Sequence, residues 1–408
     1  MRVKLSDVCV EGGIQTGPFG AQLHQSDYSE WGTPVCMPVN LVDGSISENG
    51  IARVSEEHVE RLSRYKVKRG DLLYARRGDV GRGSLVGAHE DGWLCGTGCL
   101  KVTPDPSKID SRYLFYLTSL PETIGWLVNH AKGTTMLNLN TAILSSLPLE
   151  IERNLEKQRR IAEVLSAYDE LIENNRRQIK LLEEAAQRLY KEWFIDLNFP
   201  GHETTPIHNG LPEGWMKMTI KDICKRIQSG STPSRKHAGF WEKGRYRWFK
   251  TAELQDCYLF DSEEHISGEA LDYTSVKLYP ANTVLMAIYA SPTLGRLGIL
   301  TEDSTFNQAA LALMPNESYV SVEWLYLKLW ELRDEFNQIA RGAGQRNISG
   351  EIVKNYEIVV PTKEAVSTLT SLISPLFRAV RNAQQETNAA REARDRLLPR
   401  LMSGEIEV

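Results

Sequence analysis

The sequence repeats itself once, at a spacing of about 210 residues, far beyond the 20–50-residue units of solenoid proteins. The paired segments, first copy before second, are residues 7–9 with 222–224, 14–17 with 227–230, 80–82 with 294–296, 113–114 with 324–325, and 131–138 with 340–347. A long helical pattern follows each copy, so the duplicated unit is a globular domain plus a helix. Such a duplication gives a pseudo-twofold molecule with two similar but non-identical surfaces, which suits a bipartite, asymmetric target.

Length and composition bound the class of protein. At 408 residues, 41% of them hydrophobic and 25% charged, the chain is long enough for two domains that each bury a core. Its net charge of -5 argues against a surface that binds nucleic acid everywhere, although a total charge can conceal local basic patches. No apolar run approaches a membrane span or follows Met1 as a secretion signal, so we expect a cytoplasmic protein with no membrane partner.

The six cysteines show no disulfide-like spacing, which fits a reducing compartment. Cys95 and Cys99 have no paired Cys/His set near them in the sequence. We therefore expect both to be small buried thiols rather than metal ligands.

Short apolar runs separated by turn residues predict an α+β fold in each copy. Residues 1–150 form the first predicted domain, with a helix expected near residues 112–128, and residues 211–361 repeat the plan. A Pro/Gly-rich linker over residues 198–210 precedes the second domain.

Long helices are predicted over residues 151–197 and 362–403, where apolar residues recur at steps of three and four. Each helix has about 40 residues and a length of roughly 60 Å, too long for its own domain to cover. We therefore expect the two helices to run antiparallel and to pack on each other as a coiled coil that separates the domains. Asn175 occupies a seam position, where a buried amide can fix the register, and Pro375 predicts a kink or a delayed helix start. The alternative is that each helix caps a separate domain.

The sequence carries no catalytic motif that we recognise. It has no Gly-x-x-x-x-Gly-Lys-Ser/Thr loop, no His-Glu-x-x-His, no Gly-x-Ser-x-Gly and no Pro-Pro-Tyr of the kind found in amino-methyltransferases. The Gly-x-Gly fragments at residues 81–83 and 96–98 lack a third glycine and are expected to be turns. We therefore expect a chain that is not an enzyme and has no metal or cofactor of its own.

Two basic patches indicate nucleic-acid binding. Residues 61–82 hold eight basic and two acidic residues, and residues 221–250 hold nine basic and two acidic residues, interleaved with aromatics. Arg and Lys neutralise phosphates, Arg, Gln and Asn read base edges, and the small hydroxyls of residues 229–234 can seat phosphates. The candidate DNA-binding residues are Lys68, Arg69, Arg76, Arg77, Arg82, Ser231, Thr232, Ser234, Arg235, Lys236, Arg245, Arg247, Lys250, Arg296, Gln345, Arg346 and Asn347. The alternative for each patch is a solvated charged face, and the aromatics individually favour core positions.

With these features in view, the chain resembles the specificity subunit of type I restriction-modification systems over essentially its whole length. The resemblance rests on the domain-helix-domain-helix duplication and on several short motifs. These motifs are Leu211-Pro212-Glu213-Gly214-Trp215, Gln228-Ser229-Gly230-Ser231-Thr232-Pro233-Ser234, Phe306-Asn307-Gln308-Ala309, Glu156-Lys157-Gln158-Arg159-Arg160-Ile161-Ala162 and Leu397-Leu398-Pro399-Arg400-Leu401-Met402-Ser403-Gly404. In the first domain, Gly17-Pro18-Phe19-Gly20 replaces the Ser/Thr-Pro-Ser loop and Cys95-Gly96-Thr97 replaces Phe-Asn-Gln.

The resemblance implies that each domain is a target-recognition domain that reads one half of a bipartite site in double-stranded DNA. The helices would set the gap and dock two modification (methyltransferase) subunits, to which restriction subunits can add. S-adenosylmethionine and ATP would belong to those partners. Two readers held about one DNA turn, roughly 34–36 Å, apart can address one face of a duplex. The alternatives are a stand-alone DNA-modifying enzyme with an unrecognised site and a coiled-coil scaffold that binds proteins.

Overall fold

The structure is a computed structural model that describes residues 1–19, 22–133, 137–289, 292–340 and 347–408. It divides into two compact units. Unit 1 comprises Met1–Leu171 and Ala390–Val408, and unit 2 comprises Ile172–Ala389. Each unit holds one copy of the sequence repeat, together with a part of each long helix.

The described part of unit 1 contains twelve short strands and the first helices of the chain. The strands are β1 (Arg2–Lys4), β2 (Cys9–Thr16), β3 (Tyr28–Ser29), β4 (Thr33–Cys36), β5 (Leu41–Val42), β6 (Ser45–Ile46), β7 (Ala52–Val54), β8 (Leu72–Ala75), β9 (Gly83–Leu85), β10 (Leu94–Cys95), β11 (Cys99–Pro104) and β12 (Pro148–Glu150). The helices are α1 (Glu56–Arg61), α2 (Ser111–Thr118), α3 (Pro121–His130), α4 (Thr141–Ser145) and α5 (Leu155–Phe194), whose second half belongs to unit 2.

Unit 2 repeats this order of elements over its described residues. The strands are β13 (Ile207–His208), β14 (Leu211–Pro212), β15 (Met216–Thr219), β16 (Cys224–Ser229), β17 (Tyr246–Phe249), β18 (Cys257–Leu259), β19 (Glu264–Ile266), β20 (Val284–Ala287), β21 (Leu297–Leu300), β22 (Thr305–Phe306), β23 (Ala310–Pro315) and β24 (Glu357–Val360). The helices are α6 (Gly268–Tyr273), α7 (Val322–Glu331), α8 (Arg333–Ile339), α9 (Gly350–Lys354) and α10 (Lys363–Met402), whose end belongs to unit 1.

The two units share the central part of their sheets, to which unit 1 adds β3 in the second sheet and unit 2 adds β18 in the main sheet. The main sheet runs β2-β11-β8-β9 in unit 1 and β16-β23-β20-β21-β18 in unit 2. A second sheet pairs β4 with β7 and β10 in unit 1, and β17 with β19 and β22 in unit 2. Even the irregularities match, because the main-sheet register shifts next to the Cys9–Pro104 pair in one unit and next to the Cys224–Pro315 pair in the other. The α+β duplication predicted from the sequence is therefore present at the level of strand pairing.

The central strands β8 and β20 are buried at every position, and both pack under helices that begin with a side-chain cap. Asp110 caps α2 by accepting from the backbone N–H groups of Arg112 and Tyr113, and Ser321 caps α7 by accepting from the N–H of Trp324. Such caps satisfy N–H groups that a helix start otherwise leaves without partners.

The prediction of a single helix near residues 112–128 is wrong, because two helices, α2 and α3, occupy this region. Pro121 stands at the first turn of α3, where its missing N–H costs nothing. The same ring disfavours helical geometry at Leu120, so the chain breaks before it.

Both long helices are continuous over 40 residues. The helix α10 begins at Lys363 and includes Pro375, so the expectation of a delayed start is wrong. The stripes of both helices enter the domain cores more deeply than the sequence argument assumed. In unit 1, Ile161 and Leu165 of α5 and Leu398 of α10 join the core, and in unit 2 Tyr190 of α5 and Leu369 of α10 do so.

Within the described residues, no helix is both long enough and apolar enough to cross a bilayer.

Candidate nucleic-acid interface

One glycine in each unit allows a loop to seat against the end of the second sheet. A Cβ added to Gly17 would lie 1.9 Å from the carbonyl oxygen of Gly96, and a Cβ added to Gly230 would lie 2.1 Å from that of Phe306. The strand ends involved are equivalent, since Cys95 of β10 pairs with β4 as Phe306 of β22 pairs with β17, both in parallel. The two glycine loops, residues 17–19 and 230–236, therefore occupy the same place in the two units.

In unit 2, the glycine loop meets two other segments through side chains. The Thr232 hydroxyl donates to Oε1 of Gln308, and the Ser231 and Ser275 hydroxyls lie 2.6 Å apart. The indole N–H of Trp248 donates to the Ser231 carbonyl at 2.9 Å. Two motifs that are far apart in the sequence, residues 228–234 and 306–309, are thus joined in one surface.

Arg235 is held by aromatic rings and by one carboxylate. Its guanidinium carbon lies 3.6 Å from the ring centroid of Trp241 and 5.1 Å from that of Trp248. Its Nη2 lies 2.6 Å from Oε2 of Glu264. Burial alone would raise the pKa of the Glu264 carboxyl, but Arg235 and Lys250 outweigh burial and lower it. Arg235 remains about half exposed, so it is positioned and still reachable.

Two other predicted cations of this patch are paired with carboxylates of the protein itself. Arg247 is ion-paired with Asp261 and with Glu302, the latter at 2.6 Å. Lys250 Nζ lies 2.6 Å from Oε2 of Glu263, and this hydrogen bond raises the pKa of Lys250. Both side chains therefore support the fold around β17 more than they extend a positive surface.

The remaining predicted residues near the glycine loop of unit 2 are exposed. Lys236, Ser234 and Arg245 all face solvent, and the Arg245 guanidinium lies 5.9 Å from the Tyr246 ring centroid. The Ser234 carbonyl accepts from the Trp241 indole at 3.2 Å, which ties the loop to the aromatic cluster.

In unit 1, the predicted basic residues separate into two groups at opposite ends of β8. Lys68 and Arg69 are exposed before the strand begins, where their backbone N–H groups bond carboxylates. Arg76 and Arg77 follow its end, and the Arg76 guanidinium lies 5.0 Å from the Phe19 ring centroid in the glycine loop. Burial and the nearby Arg77 lower the pKa of Arg76. The pair that follows β8 is thus the one beside the glycine loop.

Arg82 and Arg296 lie in equivalent turns, the first after β8 in unit 1 and the second after β20 in unit 2. The Arg82 carbonyl accepts from Ala75 N–H at 2.8 Å and the Arg296 carbonyl from Ala287 N–H at 2.9 Å. Arg82 is also ion-paired with Asp79 at 3.0 Å. Both Arg side chains are half-buried.

Gln345 and Arg346 lie outside the described residues. Their neighbour Asn347 forms an antiparallel bridge with Tyr289, as Asn138 does with Arg77 in unit 1. The Oδ1 of Asn138 also accepts from Arg76 Nε at 3.3 Å. The segment containing Asn347 thus pairs beside the end of β20.

No cluster of three or more His, Cys, Asp or Glu suited to a metal ion occurs among the residues that the structure describes. Cys95 and Cys99 are buried, and burial raises the pKa of each thiol well above its usual range. The prediction of buried thiols is confirmed. Turns occur at Gly81 and at Thr97 and Gly98, whereas Gly83 belongs to β9. Of the aromatics of the second patch, Trp248 and Phe249 are buried, and Phe240, Trp241 and Tyr246 are half-buried.

Sequence reasoning did not list Phe19, Ser275 or Gln308 as candidate binding residues. The alignment of the two copies was the signal available for Phe19 and Gln308, because both lie in segments that replace or match a repeated motif. Ser275 carries no such signal, and only the fold brings it to Ser231.

The comparisons with known proteins agree with this duplicated architecture. The family described as type I restriction modification DNA specificity domain matches the chain twice, over residues 21–184 and 212–390. The MjaIX specificity subunit of Methanocaldococcus jannaschii is 26% identical over 347 residues, 83% of this chain and 78% of that protein. The HindI specificity subunit of Haemophilus influenzae is 22% identical over 403 residues, 83% of this chain and 86% of that protein.

Among solved structures, the type I restriction-modification S subunit from M. genitalium superposes with a TM-score of 0.60 at 15% identity. The match covers 98% of this chain and 96% of that one, which supports the fold. Two α+β copies, each followed by a 40-residue helix and each carrying a glycine loop packed on a strand end, define a duplicated domain-plus-helix protein. The chain belongs to the type I restriction-modification DNA specificity family, as the sequence motifs indicated.

Proposed function

We propose that this chain sets the DNA sequence specificity of a type I restriction-modification complex, each unit reading one half of a bipartite double-stranded site. The observation that supports this most is the repeated construction of one loop site. In both units a glycine loop sits on a parallel strand end, beside the residues that follow the central strand. Two versions of one site with different side chains suit two different half-sites.

The DNA-contacting residues proposed in unit 2 are those that the fold leaves reachable around the loop. Arg235 is pre-positioned on Trp241, while Lys236 and Arg245 are exposed cations. Ser231 and Thr232 shape the loop, and Arg296, Gln345, Arg346 and Asn347 remain proposed contacts. Arg247 and Lys250 are proposed to act by supporting the loop, since carboxylates already neutralise them.

In unit 1, Arg76, Arg77 and Arg82 are proposed to contact DNA, because Arg76 lies against Phe19 of the glycine loop and the other two follow it along the chain. Lys68 and Arg69, at the other end of β8, are proposed to contact phosphates only. Phosphate contacts position a protein on a duplex and carry little sequence information.

The helices α5 and α10 are proposed to form an antiparallel coiled coil that sets the gap and docks two modification subunits, to which restriction subunits add. Asn175 supports this assignment, because it is 3% exposed and its Nδ2 donates to Oε2 of Glu386 on the other helix at 2.9 Å. In unit 1, Arg394 of α10 is ion-paired with Asp169 of α5 at 2.5 Å. Methyl transfer and cleavage are proposed to belong to the partner subunits, which act on cytoplasmic DNA.

The test is a map of methylated bases. The chain is co-expressed with its modification subunits, and residues 211–361 are exchanged for the matching domain of a related specificity subunit. We expect the methylated sequence to change in one half and the other half to persist. Methylation of an unchanged sequence after the exchange would contradict the proposal, and an exchange of residues 1–150 is the matched control for the other half.

A further inference from the structure

We propose that residues 273–277, the last residue of α6 and the residues that follow it, form a second side of the DNA-contacting surface of unit 2, with the Tyr273 ring packing against the sugars and base edges of the bound duplex. The inference rests on the proposed function and names a contact segment that the basic patches do not contain.

Tyr273 presents an aromatic ring to solvent. Its side chain is 78% exposed, although an aromatic ring gains stability when it leaves water. Tyrosine is favoured where one end of a side chain becomes apolar and the other stays wet, as at binding surfaces. The Tyr273 ring is therefore available to contact a partner.

Hydrogen bonds and buried side chains hold the backbone around Tyr273. Ser267 caps α6 by accepting from the Ala270 N–H at 3.3 Å, and Ala270 is fully buried. The Thr274 hydroxyl donates to the Ala270 carbonyl at 2.6 Å, and Val276 is buried in the same cluster as Trp248. The backbone that carries Tyr273 is thus held in place before binding, which lowers the entropy cost of ordering this segment.

Side-chain hydrogen bonds connect this segment to the glycine loop, and a similar connection occurs in both units. In unit 2, the Ser275 hydroxyl lies 2.6 Å from that of Ser231. In unit 1, the residues after α1 reach the glycine loop through Gln22. The Tyr65 hydroxyl donates to Oε1 of Gln22 at 2.6 Å, and the Phe19 N–H of the loop donates to the same oxygen at 3.3 Å. The same two segments therefore meet twice in a duplicated fold.

One exposed cation lies in the segment itself. Lys277 is exposed four residues after Tyr273, and the exposed acids of α6 are Asp272 and Glu269, the latter 2.9 Å from His237. In unit 1 the same position carries cations, Arg61 and Arg64, both exposed. Aromatic and basic side chains together suit sugars, bases and phosphates.

The experiment uses the full chain assembled with its modification subunits and a duplex that the wild-type assembly selects from a random-sequence library. Affinity for that duplex is measured for Tyr273→Ala, Tyr273→Phe and Tyr319→Ala. Tyr319 is the control, because it is 37% exposed and lies away from the glycine loop. Its neighbour Asn316 donates its N–H to the carbonyl of the residue before β16, whereas the loop follows the other end of β16.

We expect Tyr273→Ala to bind the duplex about tenfold more weakly and Tyr273→Phe to stay within about threefold, since the ring makes the contact. Tyr319→Ala should bind as the wild type does. Unchanged affinity for Tyr273→Ala, with the thermal unfolding of all variants equal, overturns this inference alone. A wild-type assembly that selects no sequence overturns the proposed function as well.

Discussion

Gly230 is the position where one added methyl group should disturb the candidate interface most. Its Cβ would lie 2.1 Å from a backbone oxygen of Phe306, and backbone cannot rotate aside as a side chain can. We predict that Gly230→Ala lowers the free energy of unfolding by about 1–3 kcal/mol, the usual cost of overpacking. Urea unfolding followed by tryptophan fluorescence measures this change.

Gly268→Ala is the control for that substitution. The nearest atom to its Cβ belongs to the Tyr246 ring, 4.0 Å away, so an alanine fits. We expect the urea midpoint of this variant to stay at or above that of the wild type, because alanine restricts the unfolded chain. Equal destabilisation by both substitutions would show that close approach is not the cause.

Glu183 predicts a pH dependence of stability at the residue scale. It lines a cleft of unit 2 with Tyr326 and Phe377, and burial, reinforced by Asp256, raises the pKa of its carboxyl to about 7. The folded state therefore holds this proton at pH values where the unfolded chain has lost it. Stability from this group is complete below the unfolded pKa near 4.5 and declines as pH rises through about 7.

We predict that Glu183→Gln removes this decline. The melting temperature of the variant should exceed that of the wild type by a few degrees at pH 8, and the difference should shrink toward pH 5. Glu184→Gln, at an exposed neighbouring position, is the control and should follow the wild-type profile. A constant difference between Glu183→Gln and the wild type across this range would rule out titration of Glu183 as the source.

At the scale of elements, Asn175 is a buried polar residue of the stripe on α5. Its amide donates to Glu386 of α10 at 2.9 Å, and Glu386 itself is exposed enough to be rehydrated. We predict that Asn175→Leu raises the melting temperature by a few degrees, since a leucine packs without a polar group to satisfy. Thermal unfolding followed by circular dichroism measures it.

The neighbouring substitution Asn174→Leu provides the comparison, because residue 174 faces solvent on the same helix. It should leave the melting temperature almost unchanged. If Asn175→Leu unfolds at a lower temperature than Asn174→Leu, the amide is stabilising in its own right, and its proposed role as a marker of register loses its support.

At the scale of the whole molecule, the net charge is -5, so the affinity for DNA depends on where the cations lie and not on the total charge. We predict that Lys236→Gln combined with Arg245→Gln reduces the slope of log affinity against log salt by roughly 0.9 for each lost phosphate contact. Both side chains are exposed. Fluorescence anisotropy with labelled duplex over a salt series gives the slope.

Arg247→Gln is the control, because it removes a cation that the protein's own carboxylates already neutralise. Arg247 is neutralised by Asp261 and Glu302, so its loss should hardly change the slope. A fall in slope as large as that of the double variant would mean that Arg247 leaves its carboxylates to reach phosphate.

Much of the architecture could be predicted because it depends on local or periodic signals. The long helices follow from apolar steps of three and four, and the duplication follows from residues such as Gly17 and Gly230 that recur in register. The break between α2 and α3 was missed, although Pro121 carried the local signal for it. The burial of Ile161 and Leu398 in a domain core was missed for a different reason, since it depends on contacts between distant segments.

The candidate site divides in the same way. Residue type alone identified Arg235 and Lys236 as cations beside a polar loop, and the repeat of Gly17 and Gly230 placed a glycine loop in each copy. Tertiary structure decided that Arg235 is held on Trp241 while Arg247 is ion-paired with Glu302. It also decided that Ser275 reaches Ser231. Composition and periodicity report on neighbours along the chain, whereas the availability of a charge depends on carboxylates that only folding brings within a few ångströms.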